Sequence, residues 1–212
     1  MEALELLATI ESDPQLGILS PVDFSQRMPI ILPKMDRFHL CRLFHRLGYE
    51  VGVEIGVCKG AYTARLARYN PQATIYGVDP WEVYDEYEEQ FTQEQMDEWH
   101  KLAMKQAERY ENICLIPNTS MQAVEWFEPD SIDFVYIDGN HEFRHVADDI
   151  YEWSRRVRPG GIVSGHDFTN YKRNPRTCHV RQVVGAWARA YKIKPWFVLR
   201  GRHGASWFWV KQ

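Results

Sequence analysis

Val51-Gly52-Val53-Glu54-Ile55-Gly56-Val57-Cys58-Lys59-Gly60 decides the fold. A short run rich in β-branched residues, broken by Gly56 and Gly60, reads as a buried strand that turns sharply into a helix through Thr63, Leu66 and Ala67. Asn70-Pro71 stops that helix. Upstream, Leu40, Leu43, Phe44 and Leu47 follow the i, i+3, i+4, i+7 rule of an amphipathic helix closing at Gly48. Downstream, Ala73 to Val78 is a second strand ending at Asp79-Pro80-Trp81.

The alternation continues. Thr92-Gln93-Glu94-Gln95 is a capping-box signature that opens a helix with Trp99, Leu102, Ala103 and Gln106 on one face. Ile113 to Ile116 is a third strand, Thr119 to Trp126 a short helix, and Ile132 to Ile137 a fourth strand. Val146, Ile150, Trp153 and Val157 mark another helix, closed by Arg158-Pro159-Gly160-Gly161, and Ile162 to Ser164 is a fifth strand. After a polar loop with Asn170, Asn174 and Pro175, Val180 to Tyr191 reads as helix. Trp196 to Leu199 and Ser206 to Val210 then read as a hairpin around Gly201-Arg202-His203-Gly204. Five strand and helix alternations with an antiparallel finish predict an α/β fold: a doubly wound, mostly parallel sheet covered on both faces. Residues 1–50 read as an N-terminal helical cap on a domain of 51–212, with an acidic lid insertion around 81–110.

The 212 residues, 45% apolar and 25% charged, suit one domain with a substantial core. Four cysteines far apart, with no CxxC pair, argue against a disulfide framework or a zinc knuckle and for a reducing compartment. With no basic leader and no apolar run near the roughly 18 residues of a membrane span, a cytoplasmic location is expected, with no membrane partner. Net charge is −4, unevenly spread: Asp79 to Glu98 holds nine acids and no Lys or Arg, while 168–212 holds ten Lys and Arg and no acid. The bland reading is two solvated faces. The functional one is a cationic rim for an anionic small-molecule substrate.

In a doubly wound sheet, ligands bind at the carboxyl ends of the strands, where Gly56, Asp79, Asp138 and Asp167 all fall. The Gly-x-x-x-Gly turn lacks both the middle glycine of a pyrophosphate loop and the Gly-Lys-Ser/Thr of a P-loop, which favours a phosphate-poor ligand. Asp79, at the tip of the second strand, can accept hydrogen bonds from both ribose hydroxyls. Glu54 adds negative charge beside the turn, unfavourable to a pyrophosphate but suited to the sulfonium and ammonium of S-adenosylmethionine.

On these residues the chain resembles class I S-adenosylmethionine-dependent methyltransferases from about Val51 to the C-terminus. Val53-Glu54-Ile55-Gly56-x-x-x-Gly60 is similar to their first motif, Tyr76-Gly77-Val78-Asp79-Pro80-Trp81 to their second, and Arg158-Pro159-Gly160-Gly161 to the turn before their fifth strand. The resemblance implies a Rossmann-like sheet of seven strands with an antiparallel last strand. It also implies cofactor contacts from Glu54, Gly56, Val57, Gly60, Thr63, Asp79, Trp81, Ser120 and Asp138. Ser120 would meet the adenine edge, although Asn118 and Ser120 serve equally well as helix N-caps.

Asp138-Gly139-Asn140-His141 and His166-Asp167 follow the fourth and fifth strands, so two carboxylates and two imidazoles converge beside the reactive sulfur. Asp138 and Asp167 can anchor a hard divalent ion such as Mg²⁺, which lowers the pKa of a substrate hydroxyl. His141 can then accept the proton. Without a metal, Asp138 contacts the cofactor or caps a helix, and His141 is a hydrogen-bonding loop residue. His145 and His179 read as surface or packing residues. The arrangement is similar to metal-dependent O-methyltransferases of the catechol and macrolide-sugar (mycinamicin and macrocin) types. These carry an Asp after strand four, a base three residues on, and a ligand pair after strand five. A histidine base is nearer the sugar-modifying group. His166, where that group has an oxygen ligand, leaves room for Mn²⁺, Fe²⁺ or Zn²⁺.

The resulting expectation is an O-methyltransferase for a hydroxyl of a polyhydroxylated small molecule, a sugar or glycosylated metabolite. Two other classes stay open: a nucleic-acid-modifying methyltransferase, suggested by Trp187, Tyr191, Trp196 and Trp207 among basic residues, and a catalytically silent nucleoside-binding domain. Whether residues 1–34 close the site or join subunits of a homo-oligomer is also open.

Overall fold

The computed structural model describes residues 25, 27–84, 91–169, 171–173 and 176–212. Its strands are β1 (Ile30–Leu32), β2 (Val51–Ile55), β3 (Thr74–Val78), β4 (Ile113–Ile116), β5 (Ile132–Ile137), β6 (Val157–Gly165), β7 (Tyr171–Arg173), β8 (Arg176–Cys178), β9 (Trp196–Leu199) and β10 (Ser206–Val210). The helices are α1 (Arg37–Arg46), α2 (Ala61–Tyr69), α3 (Gln93–Ala107), α4 (Ser120–Ala123, continued by a 3₁₀ turn to Trp126), α5 (Phe143–Arg156) and α6 (Val180–Ala190).

Eight strands form one sheet in the order β1-β9-β10-β6-β5-β2-β3-β4, and only β10 runs antiparallel to its neighbours. The eighth strand, β1, corrects the expected seven. It pairs parallel with β9, Ile30 opposite Phe197, so this part of the segment read as a helical cap is sheet edge; residues 1–24 lie outside the described residues. Ile30 and Leu32 are buried while Ile31 is half-buried, the alternation of an edge strand with one covered face. The fifth predicted strand is longer than 162–164, because Arg158-Pro159-Gly160-Gly161 belongs to β6 across an irregularity opposite Ile132 and Phe134. The polar loop beyond it contains the small hairpin of β7 and β8.

The strands are apolar on both faces because helices cover both. Every residue of β5 is buried, with Phe134 and Tyr136 facing the layer of α1 and α2, and Val135 and Ile137 facing that of α5 and α6. Phe134 stacks on Phe44 of α1 at 3.9 Å between ring centres. In β10, Phe208 and Val210 join the first layer and Trp207 and Trp209 the second. Trp196 and Trp207, two aromatics that suggested base stacking, are therefore core side chains.

Strand order reverses at β2, which sits between β5 and β3. The carboxyl ends of β2, β3, β5 and β6 thus open on one crevice. Asp36 caps α1 through Phe38 N and His39 in a capping box, and Thr92 does the same for α3 with Gln95, as the sequence predicts.

Candidate active site

The crevice holds a cleft of about 670 Å³, within the usual range for a small-molecule site. Gly56, Asp79, Ser120 and Asp138 line it, with Tyr84, Phe91 and Trp99 from the acidic segment opposite. The lid predicted around 81–110 contributes those side chains and α3; Asp85, Glu86, Glu88 and Glu89 fall outside the described residues.

Gly56 has φ of +88°, and a Cβ there would stand 2.1 Å from the Asp138 carbonyl oxygen, so the β2 turn and the β5 end touch only because position 56 is glycine. Asp79 is held by two backbone amides: Cys58 N donates to its Oδ2 at 2.8 Å and Trp81 N to its Oδ1 at 2.9 Å. Burial raises its pKa against these hydrogen bonds. A carboxylate has about four lone-pair sites, so ribose hydroxyls can still be accommodated.

The other expected cofactor residues stand behind the cleft surface. Trp81 is buried, donates from Nε1 to the Cys58 carbonyl at 2.8 Å and stacks on His100 of α3 at 4.3 Å. Val57 shares its apolar cluster with Met96 and Ala103, and Gly60, at φ +76°, lies against Ala103. These contacts bind the glycine turn to α3. Thr63 donates a short hydrogen bond from Oγ1 to Glu54. Burial pushes the Glu54 carboxyl up to about 8, against the lowering pull of Thr63 and with Asp138 adding to the rise. Burial thus favours the protonated form of Glu54, against the negative charge expected there.

Where an adenine contact was expected, Ser120 Oγ donates to Asp149 and accepts from Trp153 Nε1 at 2.7 Å. The N-cap of α4 is Thr119, not Asn118 or Ser120. Burial raises the Asp149 carboxyl to about 7, against the hydrogen bond from Ser120. Asp149 escaped the sequence reading, yet a signal existed: it falls on the apolar stripe of α5 between Val146 and Trp153. His145 lines the cleft near Tyr84. His179 is structural, its Nδ1 accepting from Phe143 N at the start of α5 while its own amide donates to the His141 carbonyl.

At the other end, Asp138, His141 and Asp167 bring one ligand atom each within 4.8 Å of one another. His141 Nε2 is 3.2 Å from Asp167 Oδ2 and 3.7 Å from Asp138 Oδ1. His166 Nε2 contacts the His203 carbonyl at 2.8 Å, which makes Nε2 the donor and turns Nδ1 toward Asp138 and Asp167 at 3.6 and 3.3 Å. Burial opposes charge on His166, but the hydrogen bond to Asp167 and the charges of Asp138 and Asp167 outweigh it and raise its pKa. Asp167 moves the other way: burial would raise it, and His166, His141 and Arg37 together bring it below the usual carboxylate range.

Arg37 is the main residue missed. It is the first residue of α1, its Nη1 lies 3.4 Å from Asp138 Oδ2, and its guanidinium rests 5.2 Å from the centre of the Tyr62 ring. Nothing in the local sequence joins Arg37 to a residue 101 positions on. Two carboxylates with one or two imidazoles make a donor set for a borderline divalent ion, in which Asp138, Asp167 and an imidazole would be ligands. Arg37 already supplies positive charge to one of those carboxylates.

Residues 53–168 match a family described as a methyltransferase domain. Among curated proteins, an uncharacterized protein of Sinorhizobium fredii is 24% identical over 164 residues, which is 77% of this chain and 17% of that protein. An uncharacterized protein of Acanthamoeba polyphaga mimivirus is 24% identical over 147 residues, 68% of this chain and 63% of its own length. The chain thus spans less than two thirds of either relative. Among solved structures, an O-methyltransferase from Bacillus cereus in complex with SAH superposes with a TM-score of 0.61 at 16% identity, covering 99% of this chain and 90% of that one. An rRNA methylase from Streptococcus thermophilus superposes with a TM-score of 0.55 at 11% identity, covering 84% and 98%. These likenesses establish a shared fold, and the fold alone is common to methylation of different acceptors.

Proposed function

We propose that this chain, which belongs to the methyltransferase-domain family matched over residues 53–168, is an S-adenosylmethionine-dependent enzyme that methylates a hydroxyl of a polyhydroxylated small molecule such as a sugar or a glycosylated metabolite. The observation that carries the reading is the approach of His141 Nε2 to Asp167 and Asp138, at 3.2 and 3.7 Å, beside the Asp138 wall of the cleft. A hydroxyl is a poor nucleophile at neutral pH and needs a base, whereas an amine acceptor needs only to be held unprotonated.

In this reading the adenosine lies between Asp79 and Ser120, with the methionine part beside Gly56 and Glu54. The acceptor hydroxyl sits against His141. Positive charge on the imidazole is stabilised by the two carboxylates beside its Nε2, and Arg37 pairs with Asp138 and orients it. The acceptor oxygen displaces the sulfur in line, so that the new C–O bond forms as the C–S bond breaks and neutral S-adenosylhomocysteine leaves. A divalent ion held by Asp138, Asp167 and an imidazole would polarise the acceptor hydroxyl and lower its pKa. The O-methyltransferase from Bacillus cereus is consistent with this acceptor atom.

Transfer of a labelled methyl group to panels of sugars, amines and RNA tests the proposal. Alkali-stable label on a sugar hydroxyl is expected; label on nitrogen or RNA alone would overturn it. The same assay after EDTA treatment and re-addition of Mg²⁺, Mn²⁺ or Zn²⁺ decides the metal: full activity in EDTA would remove it.

A further inference from the structure

The acid-free C-terminal segment does not form part of the cleft. Five of its ten basic residues, Arg181, Arg189, Lys192, Lys194 and Arg200, instead surround a second concavity of about 710 Å³ between α6 and the β1–β9 edge of the sheet. Its floor is apolar: Phe168 and Trp196 meet edge to face at 5.6 Å, and Ile31 and Ile193 flank them. No carboxylate lines it among the described residues. All five cations are exposed, so their charge is not spent inside the fold.

The hollow exists because α6 presents small residues there. Arg181, Gly185, Ala188 and Arg189 recur at helical spacing along one face, and a Cβ at Gly185 would meet only Arg189 Nη1, at 3.6 Å. A larger side chain would therefore project into the groove without backbone strain. Packing alone does not call for five cations around an apolar floor, and an anion seated there would gain from their combined field.

We propose that this groove is a second ligand site, for an organic anion with an aromatic or aliphatic body: the body lies on Phe168 and Trp196 and the acidic group meets the rim. The site is independent of the acceptor reading above. It adjoins the candidate active site through the loop in which Phe168 follows Asp167 and through His179, which precedes α6 and donates to the His141 carbonyl.

The probe is 8-anilinonaphthalene-1-sulfonate, with the neutral N-phenyl-1-naphthylamine as its uncharged counterpart, titrated by fluorescence into the full chain saturated with S-adenosylhomocysteine so that the cleft is filled. Calorimetry of S-adenosylhomocysteine alone checks that saturation separately. The sulfonate is expected to bind at least about tenfold tighter than the neutral probe. Gly185→Phe, which fills the groove, and Arg189→Glu with Lys192→Glu, which reverses the rim, are each expected to weaken it by about tenfold, with S-adenosylhomocysteine affinity and Tm unchanged. Gly185→Leu replaces the Phe variant if that fails to fold. Unchanged sulfonate affinity in both variants, equal binding of the neutral probe, or displacement by inorganic pyrophosphate as effective as by an amphipathic carboxylate would each overturn the proposal.

Discussion

The two ends of the cleft handle buried acid in opposite ways. At the proposed cofactor end, Glu54 and Asp149 accept hydrogen bonds from the hydroxyls of Thr63 and Ser120, and burial outweighs these, and the pull of Arg37 on Glu54, to lift the two carboxyls to about 8 and about 7. At the proposed acceptor end, Asp138 and Asp167 are surrounded by Arg37, His141 and His166, and Asp167 stays below the ordinary range. A protein can tolerate a buried acid by leaving it protonated or by giving it a cation. The first leaves a site that gains most from an incoming cation, and the second leaves carboxylates charged and able to stabilise an imidazolium.

If the acceptor end works by its charged cluster, the largest effect belongs to His141. His141→Ala is expected to slow methyl transfer on the order of 10²-fold or more while leaving cofactor affinity near normal. Single-turnover rates beside calorimetric Kd values would check this, and a variant that lost both together would erase the distinction between the ends. Asp79→Ala attacks the other end. Loss of charge-assisted hydrogen bonds of roughly 1.5–3 kcal/mol should weaken cofactor binding by about 10- to 100-fold, with the fold intact by circular dichroism. Unchanged affinity would remove the ribose assignment.

The protonation of Glu54 sharpens the contrast. Because its folded pKa is about 8, binding a sulfonium beside it must drive off a proton below that pH. Affinity for S-adenosylmethionine should therefore rise toward pH 8, by at most about tenfold per unit. The neutral thioether of S-adenosylhomocysteine should show a flatter profile. Glu54→Gln should bring the two profiles together, and parallel profiles in the unaltered chain would count against the role of Glu54.

The same contrast explains what could be read in the residues alone. The cofactor end comes from contiguous sequence: the turn from Gly56 to Gly60 and Asp79 at the next strand tip follow from strand period and turn chemistry. The acceptor end is assembled from remote pieces. Asp138, His141, His166 and Asp167 could be placed together because each ends a strand, but Arg37 reaches them from a helix that local pattern reads only as a cap. The β1 edge strand was hidden for a related reason: three residues, Ile30 to Leu32, are too short to show a period and gain their strand geometry from β9. Asp149 was overlooked because an acid on an apolar helix stripe looks like an interruption of the pattern until its partner Ser120 is in view.

Asp149→Asn gives the smallest effect and separates burial from function at the cofactor end. The folded pKa of about 7 lies above the ordinary 3.8, so the folded chain holds this proton more tightly than the unfolded one. Between those values, stability falls as pH rises, and above about 7 the burial cost is complete. Asparagine cannot ionise, and its amide oxygen can still accept from Ser120. In the cofactor-free protein the variant should match the parent in Tm near pH 4 and gain on it near pH 8 by up to about 10 °C, at about 2–4 °C per kcal/mol for a chain of this size. A variant less stable at both pH values by the same amount would mean that Asp149 serves as a hydrogen-bonding strut whose charge state is irrelevant. The cofactor end would then rely on Glu54 alone for its response to an incoming cation.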